Sequence, residues 1–82
     1  MKAIVDIYLK EGVLDPQGKA VHHALLSLGF NEVKDVRVGK QIVLTLDEMD
    51  EEEAKKRVKD MCETLLANTV IEDYKIEIEK WK

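Results

Sequence analysis

Cysteine, proline and tryptophan each occur once in these 82 residues, and each scarcity excludes something. A single thiol, Cys62, rules out an intramolecular disulfide framework and suits a reducing cytoplasm. No apolar run approaches the roughly 20 residues of a membrane span. The first residues, Met1-Lys2-Ala3-Ile4-Val5-Asp6, carry charge within the apolar run and lack the apolar core of a signal peptide. Net charge is −4, with both signs mixed and no basic block, so nucleic acid is not an expected partner. Nor is a membrane. These features describe a cytoplasmic protein, a single domain over residues 1–82. A chain this short buries only about 60% of its unfolded surface, which makes self-association an expected supplement to its core.

Catalytic constellations are missing as well. His22 and His23 are neighbours on a helix, pointing about 100° apart, so they do not readily share a metal. Cys62 sits beside an apolar stripe without a partner base. Gly18-Lys19 and Gly39-Lys40 lack the remaining residues of a phosphate-binding loop. No catalytic residue, metal ligand or bound cofactor is expected in this chain.

What is present is a clear alternation of elements. Ala3, Val5, Ile7 and Leu9 alternate with Ile4, Asp6 and Tyr8, which is a strand. Asp15-Pro16 marks a helix start: Asp15 accepts from orphan N–H groups and Pro16 suits the first helical position. Val21, Ala24, Leu25 and Leu28 form that helix's apolar stripe, leaving Leu26 on the opposite side. Gly29 is its C-terminal cap, with Phe30 packing back. Val33–Val38 and Gln41–Leu46 read as strands in a hairpin, with Gly39 supplying a positive φ.

A second helix starts near Asp50, with Glu53 completing an acidic capping box. Glu51–Lys55, Glu52–Lys56 and Glu53–Arg57 are spaced as ion pairs. Its predicted stripe is Ala54, Val58, Met61 and Leu65, and Asn68 caps its end. Tyr74, Ile76 and Ile78 mark a last strand. The order βαββαβ predicts an α+β, ferredoxin-like sandwich, with two helices on one face of a four-stranded antiparallel sheet. The other sheet face would carry Ile4, Tyr8 and Val43, a self-association face interrupted by Asp6.

The run Leu14-Asp15-Pro16-Gln17-Gly18-Lys19-Ala20, then Leu28-Gly29-Phe30, then Val36-Arg37-Val38-Gly39-Lys40, resembles the PurS family over essentially the whole chain. PurS is the small subunit of phosphoribosylformylglycinamidine synthase. The resemblance implies a non-catalytic bridge in purine biosynthesis, between a glutaminase subunit, PurQ, that releases ammonia and a synthetase subunit, PurL, that captures it. ATP, Mg²⁺ and glutamine would be used by the complex, and the bridge would be a homodimer, or a tetramer when isolated. Partner contact is then expected at Asp15, Gln17, Gly18, Lys19, Arg37, Gly39 and Lys40, with Arg37 offering a bidentate contact to a partner carboxylate. Gly18 is the oddest of these, since it costs about 1 kcal/mol relative to Ala inside a helix. The alternatives are an ACT-like small-molecule-binding regulatory module and a freestanding enzyme.

Overall fold

A computed structural model describes residues 1–80, so Trp81 lies outside the described residues. The elements are β1 (Lys2–Leu9), α1 (Pro16–Ser27), β2 (Lys40–Thr45), α2 (Glu51–Met61), a π-helical turn (Cys62–Leu66) and β3 (Glu72–Glu79). The strands form a three-stranded antiparallel sheet ordered β2-β1-β3. Its centre follows from the alternation in β1. Val5 lies opposite Ile42 and Ile76, and Ala3 lies opposite Leu44 and Ile78. Ala3, Val5 and Ile7 are buried with Val58 and Cys62 of the second helix.

The buried row of α2 is Ala54, Val58 and Cys62, with Leu66 partly buried behind it. These are successive i+4 positions. Leu65, predicted for the stripe, is instead 82% exposed. The π turn is the reason: Ala67 N–H bonds back to Cys62 O, five residues away, and that wider turn changes which side chains face the sheet. Asn68 does not cap in the left-handed region; its Oδ1 accepts from Val70 N–H and its own N–H donates to Glu72 Oε1. Asp50 makes no side-chain cap bond, and the three predicted ion pairs along α2 are not closed. Tyr74 Oη donates to Glu63 Oε2 at 2.6 Å, joining β3 to the end of the helix. That bond to a carboxylate pushes the Tyr74 phenol up to about 12.

Further expectations are corrected. Among the described residues there is no fourth strand: residues 33–38 pair with none of the three strands. Gly39 does not have a positive φ, which among the described residues occurs only at Gly12 and Gly29. There is no tight hairpin before β2. Gly39 is needed for close approach, because a Cβ there would sit 2.7 Å from Ile7 O.

Another correction concerns α1, which makes little contact with the sheet. The radius of gyration is 16.2 Å, whereas a compact chain of this length would have about 12 Å. Residues 10–39 form an arm, α1 running out and the 33–38 segment running back along it. Both ends of α1 are closed locally. Asp15 Oδ1 accepts from Gly18 N–H at 2.8 Å. At the other end, Phe30 N–H reaches Leu25 O and Gly29 N–H reaches Leu26 O, a Schellman motif with Gly29 at φ 97°. Of the predicted apolar stripe only Leu25 is partly covered; Val21, Ala24 and Leu28 are exposed.

Candidate functional site

The seven residues expected to meet a partner come together at the base of the arm, around Asp15. Asp15 is buried, 5% exposed. Oδ1 holds the first turn of α1, and Oδ2 accepts from Val38 N–H at 2.8 Å, 23 residues further on. One side chain therefore closes the helix start and ties the return segment to it. The backbone N–H groups of Val38 and Gly18 hold this carboxyl below the usual carboxylate range, with Arg37 assisting and burial opposing.

The consequence for pH has a fixed sign. A carboxyl whose folded pKa lies below its unfolded value stabilises the fold above the unfolded value. That contribution is lost as pH falls through the folded pKa. The stability gap between the wild type and Asp15→Asn should therefore be widest near neutrality and shrink as pH falls below about 4. Thermal unfolding across pH 2–7 at fixed protein concentration reads this directly; a gap that widens in acid would contradict the arrangement.

Gly18 is buried against the return segment. A Cβ there would collide with Val36 O and come 2.8 Å from Asp15 Oδ2. This contact answers why a glycine stands inside a helix. The exposed Arg37 guanidinium donates to Val13 O at 2.9 Å and to Lys10 O at 3.2 Å. It clasps the arm's outgoing loop. His22 also acts within the arm, its ring half-buried and Nε2 2.8 Å from Val33 O. A carbonyl only accepts, so Nε2 carries the proton.

These bonds leave three of the seven side chains outward. Gln17 and Lys19 are exposed on the first turn of α1, and Lys40 is exposed at the start of β2, 4.0 Å from Glu72. Two shallow clefts flank Asp15. One, of about 290 Å³, has Lys19, Asp35 and Arg37 on its walls. The other, of about 220 Å³, has Gln17, Gly39, Lys40 and Tyr8. Neither contains a nucleophile beside a base. Among the described residues no three His, Cys, Asp or Glu side chains converge to hold a metal ion. Cys62 is buried, and that burial raises its thiol pKa, opposite to the shift a nucleophile needs. No described helix is long and apolar enough to cross a membrane. What the arrangement offers is a rigid backbone frame displaying a few polar and cationic side chains.

Sequence reasoning located this cluster but missed how it is wired. The Asp15–Val38 bond and the Arg37 clasp join residues more than twenty positions apart, one partner in each being a backbone atom. Backbone donors and acceptors carry no residue-specific signal. The only hint was the misplaced glycine at 18.

Comparison with known proteins places this architecture. Residues 2–80 match the model of the family PurS: Phosphoribosylformylglycinamidine (FGAM) synthase. The chain is 57% identical over 79 residues to phosphoribosylformylglycinamidine synthase subunit PurS of Bacillus subtilis, covering 96% of this chain and 93% of that one. It is 49% identical to the same subunit of Methanocaldococcus jannaschii, whose crystal structure superposes with a TM-score of 0.90 over 99% of this chain and 98% of that one. A chain in the structure of PurLQS from Thermotoga maritima superposes with a TM-score of 0.84 at 34% identity, covering 93% of each. The standing-off helix and three-stranded sheet thus belong to a recurring fold, and the chain belongs to the PurS family.

Proposed function

We propose that this chain is the non-catalytic bridging subunit of a phosphoribosylformylglycinamidine synthase. In this reading it docks a PurQ-type glutaminase on a PurL-type synthetase and helps ammonia pass between them in purine biosynthesis. The observation that carries the reading is its family membership together with its likeness to a chain of the Thermotoga maritima PurLQS structure. The site's chemistry agrees. A docking subunit needs a fixed, displayed surface, and this chain supplies one without a reactive group. Ammonia released into bulk water at neutral pH is protonated and ceases to be a nucleophile, so holding the two active sites in register has a physical purpose. ATP, Mg²⁺ and glutamine are then handled by the partner subunits. Family membership does not favour the ACT-like alternative.

Within that reading the partner surface narrows to Gln17, Lys19 and Lys40. Asp15, Gly18, Arg37 and Gly39 serve it by shaping the backbone. Self-association is assigned to the sheet face turned away from α2, where Ile4 is half-buried, Tyr8 is 39% exposed and Val43 is 53% exposed. Asp6 interrupts this face, but its Oδ1 accepts from the Gln41 side-chain amide at 2.9 Å, which lowers the penalty of covering it.

Co-elution tests the bridge. The PurL-type and PurQ-type subunits of the same organism are run together on a sizing column with glutamine, ATP and Mg²⁺. They should co-elute when this chain is present and separate when it is omitted; co-elution unaffected by omission would overturn the reading.

A further inference from the structure

The clasp at the base of the arm uses only part of Arg37. A guanidinium is a planar fork with five N–H donors. Two are engaged, one by Val13 O at 2.9 Å and one by Lys10 O at 3.2 Å. Three remain, and the side chain is exposed. Both acceptors belong to one turn, which the Val13 N–H bond to Lys10 O closes, with Gly12 at φ 86°. The plane of the fork is therefore set before any partner arrives. An unheld arginine loses rotamer freedom when it is bound; this one has already lost it on folding.

The charge of Arg37 is held but not matched. Among the described residues no carboxylate closes an ion pair with it. Asp15, whose carboxyl feels that charge, has its oxygens engaged by the N–H groups of Gly18 and Val38. Leaving Asp15 aside, the cleft of about 290 Å³ carries Lys19 and Arg37 against Asp35. Leu14 lines the same cleft and is 65% exposed. On a chain of net charge −4 this is a cationic corner with an apolar wall. An occupant that brings a carboxylate is complementary to it, and an apolar contact beside the pair keeps water from weakening it.

We propose that this cleft receives an acidic segment of another subunit of the complex. A carboxylate of that segment sits on the remaining N–H groups of Arg37, with Lys19 beside it and Leu14 covering the pair. The inference rests on the bridging role proposed above and names the chemistry of its contact. It gives Arg37 a second task besides shaping the backbone. It also explains an arginine at this position: a lysine would keep the charge and lose the fork that is both clasp and receptor.

The test uses the wild-type chain, whose two arginines are Arg37 and Arg57, both exposed. Phenylglyoxal modification of each is followed by peptide mass mapping, in the chain alone and with the PurL-type and PurQ-type subunits, added separately and together. Co-elution of the same mixtures reports assembly. With partner at about ten times its dissociation constant, the rate at Arg37 should fall about tenfold, in proportion to the unbound fraction. Zero-length carbodiimide coupling should join Lys19 to an Asp or Glu of the protecting subunit. Equal slowing at both arginines, an Arg37 inert in the chain alone, or protection that a higher concentration of this chain produces by itself would each overturn the proposal. An assembled complex in which Arg37 keeps its rate overturns it and leaves the bridging role standing. Subunits that fail to assemble overturn the bridging role, and this contact with it.

Discussion

Gly18→Ala should destabilise the protein, by about 2–3 kcal/mol, although it replaces the poorer helix former with the best one. In an exposed helix the same change stabilises by roughly 1 kcal/mol. The sign reverses here because the added Cβ meets Val36 O, a backbone atom that moves only if the return segment moves with it. It also crowds Asp15 Oδ2, which holds Val38. Relief of the clash therefore lengthens the bond that ties the two limbs of the arm. For a domain of this size the expected fall in Tm is roughly 10–20 °C. Association adds to stability by mass action, so both proteins are compared at one concentration. A Tm unchanged or raised would mean that Gly18 is not packed as described.

Charge reversal at the displayed cations should act in the opposite way, on function and not on the fold. Lys19→Glu with Lys40→Glu removes two exposed positive side chains from either side of Asp15. Neither carries a buried bond; Lys40 has only the long contact with Glu72. Surface ion pairs of that kind contribute about 0–1 kcal/mol, so Tm should move little. At a docking surface the same change replaces attraction by repulsion. Assembly should weaken roughly 10- to 100-fold. In the complete enzyme this reads as a loss of glutamine-driven turnover at limiting concentrations of the double variant, restored in part by raising its concentration. A restorable loss distinguishes weakened docking from a damaged fold.

The contrast between these two variants follows what the sequence makes legible. The Asp15-Pro16 start and the Gly29 cap were readable because each is decided within a few residues of chain. The alternation in β1 was readable because its period places Ala3, Val5 and Ile7 on one buried face. The pattern failed where partners are distant. The intrachain bonds of Arg37 were not legible, since nothing local marks Lys10 O and Val13 O as its acceptors. Gly39 was placed in a turn, whereas its constraint is a carbonyl of β1. The π turn at Cys62 moved Leu65 out of the predicted stripe without any residue announcing it.

The fourth strand and the packing of α1 are a different kind of miss. Val33, Val36 and Val38 do have strand character, and Val21 and Leu28 do form an apolar stripe. Hydrophobic pattern reports that a surface is to be covered. It does not report what covers it.

The central claim is that this chain matters to amide transfer through assembly and ammonia delivery, without taking part in the chemistry. It is tested by reconstituting the synthetase and glutaminase subunits of the same organism with ATP, Mg²⁺ and formylglycinamide ribonucleotide. Product formation is measured with glutamine and, separately, with ammonium salt as nitrogen source, each with and without this chain. Omission should cut the glutamine-dependent rate at least tenfold while the glutaminase and synthetase active sites remain intact, so that ammonium still supports turnover by the synthetase. A glutamine-dependent rate unchanged by omission would contradict the bridging role outright.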